Sequence, residues 1–391
     1  MMSSHLSVVC IVFFCCRLTS VVDGCPTSVC SCSARGSVIC SKKRLERIPF
    51  FAQEEGRVYD EIDLGNNDLF AVPPFAFENV KARSILLDRN PLIGVSPRAF
   101  DGLEKVLLKL DLSSTDLHVI HWGVFRALGE LRDLNLARNG LFAIPRGLFD
   151  GLENLQNLTL QGNKLSVLKY GVLRGLKNLR KLDLTGNFIS SIEPGTFEDC
   201  RPLTALSMNN NQLKTLNHFS FRGLENVQRL SLESNFIRDL PSITFFMIRN
   251  VRQLLLAHNN LTELGPRAFV GAPHLEEISL SHNEISNVSS ETFVGLPKLR
   301  VVRLNENRLQ TLGGGDCFVY GLDGVKELSL TGNPIDCFCE MRWVRDLVAN
   351  GLKVTGDCRR PELYQVPISQ FNFTGCNDCH PQIRVTPPTT K

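Results

Sequence analysis

Net charge is scarce in this 391-residue sequence: 43 Lys and Arg stand against 40 Asp and Glu, a formal +3. A surface that holds nucleic acid or an anionic membrane through its overall field needs far more, so any binding has to be local. Long apolar runs are missing too. The stretch from Leu6 to Cys16 is about half of what a membrane-spanning helix requires, and no hydrophobic tail marks a lipid anchor. Also absent are G-x-S-x-G, H-E-x-x-H and a Gly-rich phosphate loop. His118 and His121 lie close together just before Trp122, but they sit in an ordinary stretch of the chain and read as surface side chains. These gaps leave no basis for a nucleic-acid binder, a membrane span, an enzyme, a cofactor or a metal centre. With 43% hydrophobic and 21% charged residues, wholesale disorder is excluded as well.

The short apolar stretch is followed by small and polar residues from Ser20 to Gly24, the pattern of a secretory signal covering residues 1–24. No Lys or Arg precedes it and Arg17 follows it, so the match is incomplete. Beyond it, cysteines crowd at the two ends of the chain, and Asn157, Asn260, Asn287 and Asn372 each begin an N-x-S/T sequon. Both features fit an oxidising, secretory compartment.

The central signal is a repeat. Leu131-x-x-Leu134-x-Leu136-x-x-Asn139-x-Leu141 recurs as Leu155, Leu158, Leu160, Asn163, Leu165, and again as Leu179, Leu182, Leu184, Asn187, Ile189. The polar position then falls at Asn211, Asn235, Asn259, Asn283 and Asn307, 24 residues apart; backwards it reaches Thr115, Asn90 and Asn67, and forwards it ends at Asn333 after an insertion near Gly313 to Gly315. That makes twelve units. In a strand, alternate side chains face opposite ways, so Leu134 and Leu136 point inward and Asn135 outward. One such strand cannot bury its apolar face alone, and stacking its neighbours gives a continuous core. The expectation is an α/β solenoid over residues 58–333, with a parallel concave sheet of twelve strands and an irregular or 3-10 convex side.

Two columns should line its interior. An amide both donates and accepts, so the asparagines can satisfy backbone groups of the tight turn between units and form a ladder. Thr115 can do only part of that. On the convex side Phe77, Phe100, Phe125, Phe149, Phe197, Phe221, Phe245, Phe269 and Phe293 keep the same period, with Leu173 in one slot. They recur in register with the core leucines and read as buried filling, not as a ligand-stacking stripe.

A solenoid needs a cover at each end. Cys25-Pro26-x3-Cys30-x-Cys32-x7-Cys40 precedes the first unit, and Asn333-Pro334-Ile335-Asp336-Cys337-Phe338-Cys339, then Trp343, Cys358 and Cys376, follows the last. These flanks and the 24-residue unit together resemble the extracellular leucine-rich-repeat family with N- and C-terminal cysteine caps, the group of Slit, the Nogo receptor, chondroadherin and the leucine-rich-repeat/immunoglobulin receptors. The resemblance implies a leucine-rich-repeat horseshoe, a cap over residues 25–57, a second over 334–376, and disulfides Cys25–Cys32, Cys30–Cys40, Cys337–Cys358 and Cys339–Cys376. Cys200 and Cys317 stand outside the cap pattern and read as small buried hydrophobes; Cys379 could compete with Cys376 or link to another chain. Residues 377–391, with Pro381-x-Ile383-x-Val385-x-Pro387, are either a flexible tail or the start of a truncated immunoglobulin-like domain.

Outward strand positions are not needed for the core, so they are where a partner should bind. They include Asp63, Asp88, Asp111, Arg132, Asp133, Asn135, Lys181, Asp183, Arg229, Glu233 and Arg303, with Leu86, Leu255 and Val301 as exposed aliphatic anchors. Asn157 falls on the same face. The function this implies is recognition of an extracellular protein ligand or receptor in adhesion or signalling, with a structural matrix role or immune recognition as the alternatives.

Overall fold

The computed structural model describes residues 25–33, 36–52, 56–312, 319–337, 341–360 and 363–370. The expected leader at 1–24, the insertion with Cys317, the Cys339–Cys376 pair, Asn372, Cys379 and the tail at 377–391 lie outside those residues.

Each repeat contributes one three-residue strand: Glu61–Asp63, Ser84–Leu86, Lys109–Asp111, Asp133–Asn135, Asn157–Thr159, Lys181–Asp183, Ala205–Ser207, Arg229–Ser231, Gln253–Leu255, Glu277–Ser279, Val301–Arg303 and Glu327–Ser329. Neighbours pair in parallel and without slippage, Leu158 opposite Leu182 and Leu182 opposite Leu206. The middle residue of every strand is buried, as the two-residue period demands, while its neighbours face the concave side. The protein is thus a parallel-sheet solenoid with little helix. The eight-residue helix Arg342–Ala349 follows the last repeat.

The sheet is longer than twelve strands. Ser37–Ile39 and Lys353–Thr355 extend it in parallel at either end, and Ser31–Cys32 adds an antiparallel edge, giving fifteen. The flanks therefore cover the exposed edges by supplying strands of their own, which carry too few leucines to show the repeat. Cys25–Cys32 and Cys30–Cys40 tie the first end, and Cys337–Cys358 the other. Among the described residues Cys200 is the free cysteine; it is buried, and burial, then the charge of Asp199, pushes its thiol up to about 12.

The asparagine column forms a ladder. Asn187 Nδ2 donates to Leu184 O in its own turn and Leu160 O in the turn before, both at 3.0 Å, while its Oδ1 accepts from Leu165 N at 3.1 Å. The same three bonds recur at Asn163, Asn211, Asn235, Asn259, Asn283 and Asn307. At Thr115 the pattern changes. Its hydroxyl lies 2.6 Å from Asn139 Oδ1, and Asn139 Oδ1 accepts from Thr115 N instead of from a residue further along. Asn187 is 3% exposed, so Asn187→Ala strands two carbonyls and an amide away from water. We expect it to lower stability by about 2–3 kcal/mol, read as an earlier urea midpoint.

A second amide column was not anticipated. Asn154, Asn178, Asn226 and Asn250 each donate at 2.8–3.0 Å to a carbonyl 25 residues back, in the preceding turn. Their 24-residue spacing was visible in the sequence, broken only where Pro202 takes the slot.

On the convex side the phenylalanines are buried, with ring centroids 5.9–6.3 Å apart at Phe77–Phe100, Phe221–Phe245, Phe245–Phe269 and Phe269–Phe293. Phe51 of the N-terminal flank extends the stack onto Phe77 at 6.2 Å. This side is mostly turns, with a 3-10 segment at His218–Phe221. Short parallel pairs also form where the chain leaves the ladder: Ala71–Val72 with Gly94–Val95, Val167–Leu168 with Ser191–Ile192, and Glu263–Leu264 with Asn287–Val288.

Candidate binding face

The concave sheet divides into three zones. In the first, Asp63, Asp88 and Asp111 come from successive turns. The Gly65 N–H donates to Asp63 Oδ1 at 2.9 Å, and a Cβ on Gly65 would stand 2.6 Å from Asp88 Oδ1, so the Asp88 carboxylate comes close where Gly65 has no side chain. Burial, reinforced by the charge of Asp111, pushes the Asp88 carboxyl above its ordinary value, with Arg89 partly opposing. Folding therefore favours the protonated form. Asp88 costs stability as pH rises from the ordinary carboxylate value through its raised one. Asp88→Asn should raise the melting temperature at pH 7, with the gain shrinking as pH falls toward the ordinary carboxylate range.

In the middle zone Asn135 Nδ2 donates to Asp111 Oδ2 at 2.9 Å and Asn157 Nδ2 donates to Asp133 Oδ1. Next comes a hollow of about 460 Å³ lined by Asn157, Thr159, Lys181, Asp183, Ala205, Ser207, Asn209, Arg229 and Ser231. Small side chains make the hollow, because Ala205, Ser207 and Ser231 leave room above the sheet. Lys181 and Arg229 stand exposed beside them. Lys181 makes no ion pair among the described residues, and Arg229 Nη1 donates to Gln253 Oε1.

In the third zone the charges neutralise one another. Arg303 bonds Glu277 and lies 3.7 Å from Glu327, and Gln253 Nε2 donates to Glu277 Oε2 at 2.9 Å.

Not every residue assigned to this face occupies it as expected. Leu255 is only 7% exposed between Ser231 and Ser279, so it is no exposed anchor. Leu86 and Val301 are half-buried. Arg132 immediately precedes its strand and is exposed. Asp88 and Glu233 follow their strands in the turn toward the ladder, where the Glu233 N–H donates to Asn209 Oδ1 at 2.9 Å. Of the sequons, Asn157 lines the hollow, Asn260 is half-buried with Nδ2 3.3 Å from Glu284 Oε1, and Asn287 is exposed.

A sequence profile described as "Leucine rich repeat" matches overlapping stretches from 81–141 to 273–335, about two thirds of the chain. Chaoptin of Drosophila melanogaster is 36% identical over 75 residues, which are 19% of this chain and 6% of Chaoptin, so the chain matches only a small part of that protein. A chain of the octameric complex of Latrophilin 3, Unc5D and FLRT2 superposes with a TM-score of 0.67 at 24% identity, covering 90% of this chain and 100% of the other. A chain of the Drosophila Toll–Spatzle complex gives 0.64 at 21% identity, covering 80% and 48%. A chain of the mouse RP105/MD-1 complex gives 0.62 at 20%, covering 82% and 58%. At these identities the likeness is one of fold.

Proposed function

The chain belongs to the leucine-rich-repeat family, and from that premise we propose that it is an extracellular or cell-surface protein that recognises another protein through its concave hollow. The observation that carries this reading is the contrast within the sheet. Arg303 is held between two glutamates, whereas Lys181 stands exposed with no ion pair among the described residues, over a floor of small side chains. A convex acidic surface of a partner would fit there, filling the depression and pairing with Lys181 and Arg229.

Disulfides at both ends support an oxidising compartment. Among the described residues no helix is long and apolar enough to cross a membrane. The similar folds in the FLRT2, Toll and RP105 structures were each seen in complexes with other proteins, which supports a binding role over a catalytic one. A glycan on Asn157 would cover one rim of the hollow and leave the side from Lys181 to Ser231 open.

The test is a screen of the glycosylated chain against an extracellular protein panel, followed by hydrogen exchange of the complex that emerges. Protection should centre on the strands from Asn157–Thr159 to Arg229–Ser231. Protection confined to the convex turns would assign binding to another surface.

A further inference from the structure

Just past the asparagine ladder, where the chain turns from the concave sheet to the convex side, each repeat presents the residues three, four and seven positions after its ladder residue. In the four repeats from Asn67 to Asn139 those positions hold Phe70, Ala71, Pro74, Ile93, Gly94, Pro97, His118, Val119, Trp122, Phe142, Ala143 and Arg146. Arg146, at the far end, is the only Lys, Arg, Asp or Glu among them. Phe70 is 56% exposed, Ile93 71%, Val119 61%, Trp122 46% and Phe142 58%. Phe70 and Ile93 lie side by side in adjacent turns: the Ile93 N–H donates to Phe70 O at 2.9 Å, and Ala71 pairs with Gly94.

The C-terminal half supplies an internal control. The third and fourth positions there are Lys214 and Thr215, Arg238 and Asp239, Thr262 and Glu263, Ser286 and Asn287. The sequon asparagines Asn260 and Asn287 also lie on this side of the later repeats. The third and fourth positions are thus polar in the later repeats, where Asn287 begins a sequon, and apolar apart from His118 in the earlier ones. The solenoid itself does not require exposed aromatics here.

We propose that this apolar stripe is the contact between two copies of this chain. The scarcity of charge along it, with Arg146 confined to one end, points to self-association. An isologous interface sets a patch against itself, so a one-signed charge at its centre would meet its own sign, whereas a stripe with no charge at its centre fits its own copy without repulsion. The concave hollow, with its exposed cations, suits a partner of different character. Size agrees. With 150–250 Å² for a whole aromatic side chain and somewhat less for Ile93 and Val119, the five exposed residues present on the order of 500 Å² of apolar surface. That is at the upper end of the largest patches on monomers, and it matches the apolar share of one side of an interface burying roughly 800 Å² per partner. The stripe and the hollow occupy different faces, so dimerisation leaves the hollow available.

Sedimentation equilibrium of the full glycosylated chain tests this. The wild type should show a concentration-dependent dimer, and Ile93→Arg with Phe142→Arg should weaken association at least tenfold. Both side chains are exposed, so the melting temperature should change little; circular dichroism checks that. Lys214→Glu, at the same register in the C-terminal half, should leave the dimer intact. A chain that remains monomeric up to high micromolar concentration, or a dimer indifferent to the Ile93 and Phe142 changes in a folded variant, would overturn the proposal.

Discussion

Phe245→Ala is expected to lower the unfolding free energy by about 3–5 kcal/mol. Phe245 is fully buried, with Phe221 at 6.3 Å on one side and Phe269 at 6.0 Å on the other. Truncation therefore removes the apolar transfer term, opens a cavity and breaks two ring contacts. The convex turns around it are held by local backbone bonds and have no continuous sheet to resist collapse or loosening. In a solenoid each turn contacts only its neighbours, so the damage should centre on the turns from 221 to 269 and weaken coupling between the two halves. Urea denaturation should show an earlier midpoint, and a second transition if the halves uncouple. The contrasting change is Phe142→Ala, because Phe142 is 58% exposed and should cost well under 1 kcal/mol. Equal costs at the two positions would mean that the buried stack does not hold the convex side.

The repeat was legible because one physical requirement is imposed at every turn. Leu182, Asn187 and Phe197 each fill a place that recurs 24 residues later, and a period repeated that often shows in composition alone. The ladder could be anticipated down to its weak rung, since a hydroxyl cannot replace an amide at Thr115. The strands of the flanks could not. Ser37–Ile39 and Lys353–Thr355 are made by pairing with a neighbour, and Val38 and Val354 alone carry no periodic signature. The burial of Leu255 does not follow from strand alternation, which gives the side of the sheet but not how closely its neighbours cover a side chain there. Ion pairing was hidden for a similar reason. Arg229 opens its strand and Arg303 closes its own, and the register sets Glu277 and Glu327 opposite Val301, so the sequence does not show that Arg303 reaches diagonally to both.

That difference sets the second large effect. Replacing Lys181 and Arg229 by Glu inverts the charge at the hollow while leaving the buried Leu182 and Leu230 untouched. Both altered side chains are exposed, so stability should change little. Binding should suffer heavily. Each reversal removes an attraction and adds a repulsion against the same acidic group, and together they should weaken the complex about 100-fold or more, mostly through faster dissociation if the contacts are desolvated. Salt should mask part of the loss, because interactions at the exposed rim are screened within about 10 Å at 0.1 M.

The decisive measurement is the affinity of the Lys181→Glu, Arg229→Glu chain for its captured partner, beside a control with the same charge change at exposed Lys169 and Lys214 outside the concave sheet. A loss of about two orders of magnitude in the first and near wild-type binding in the second is the expected result. Equal affinities in the two folded variants would contradict recognition through the hollow.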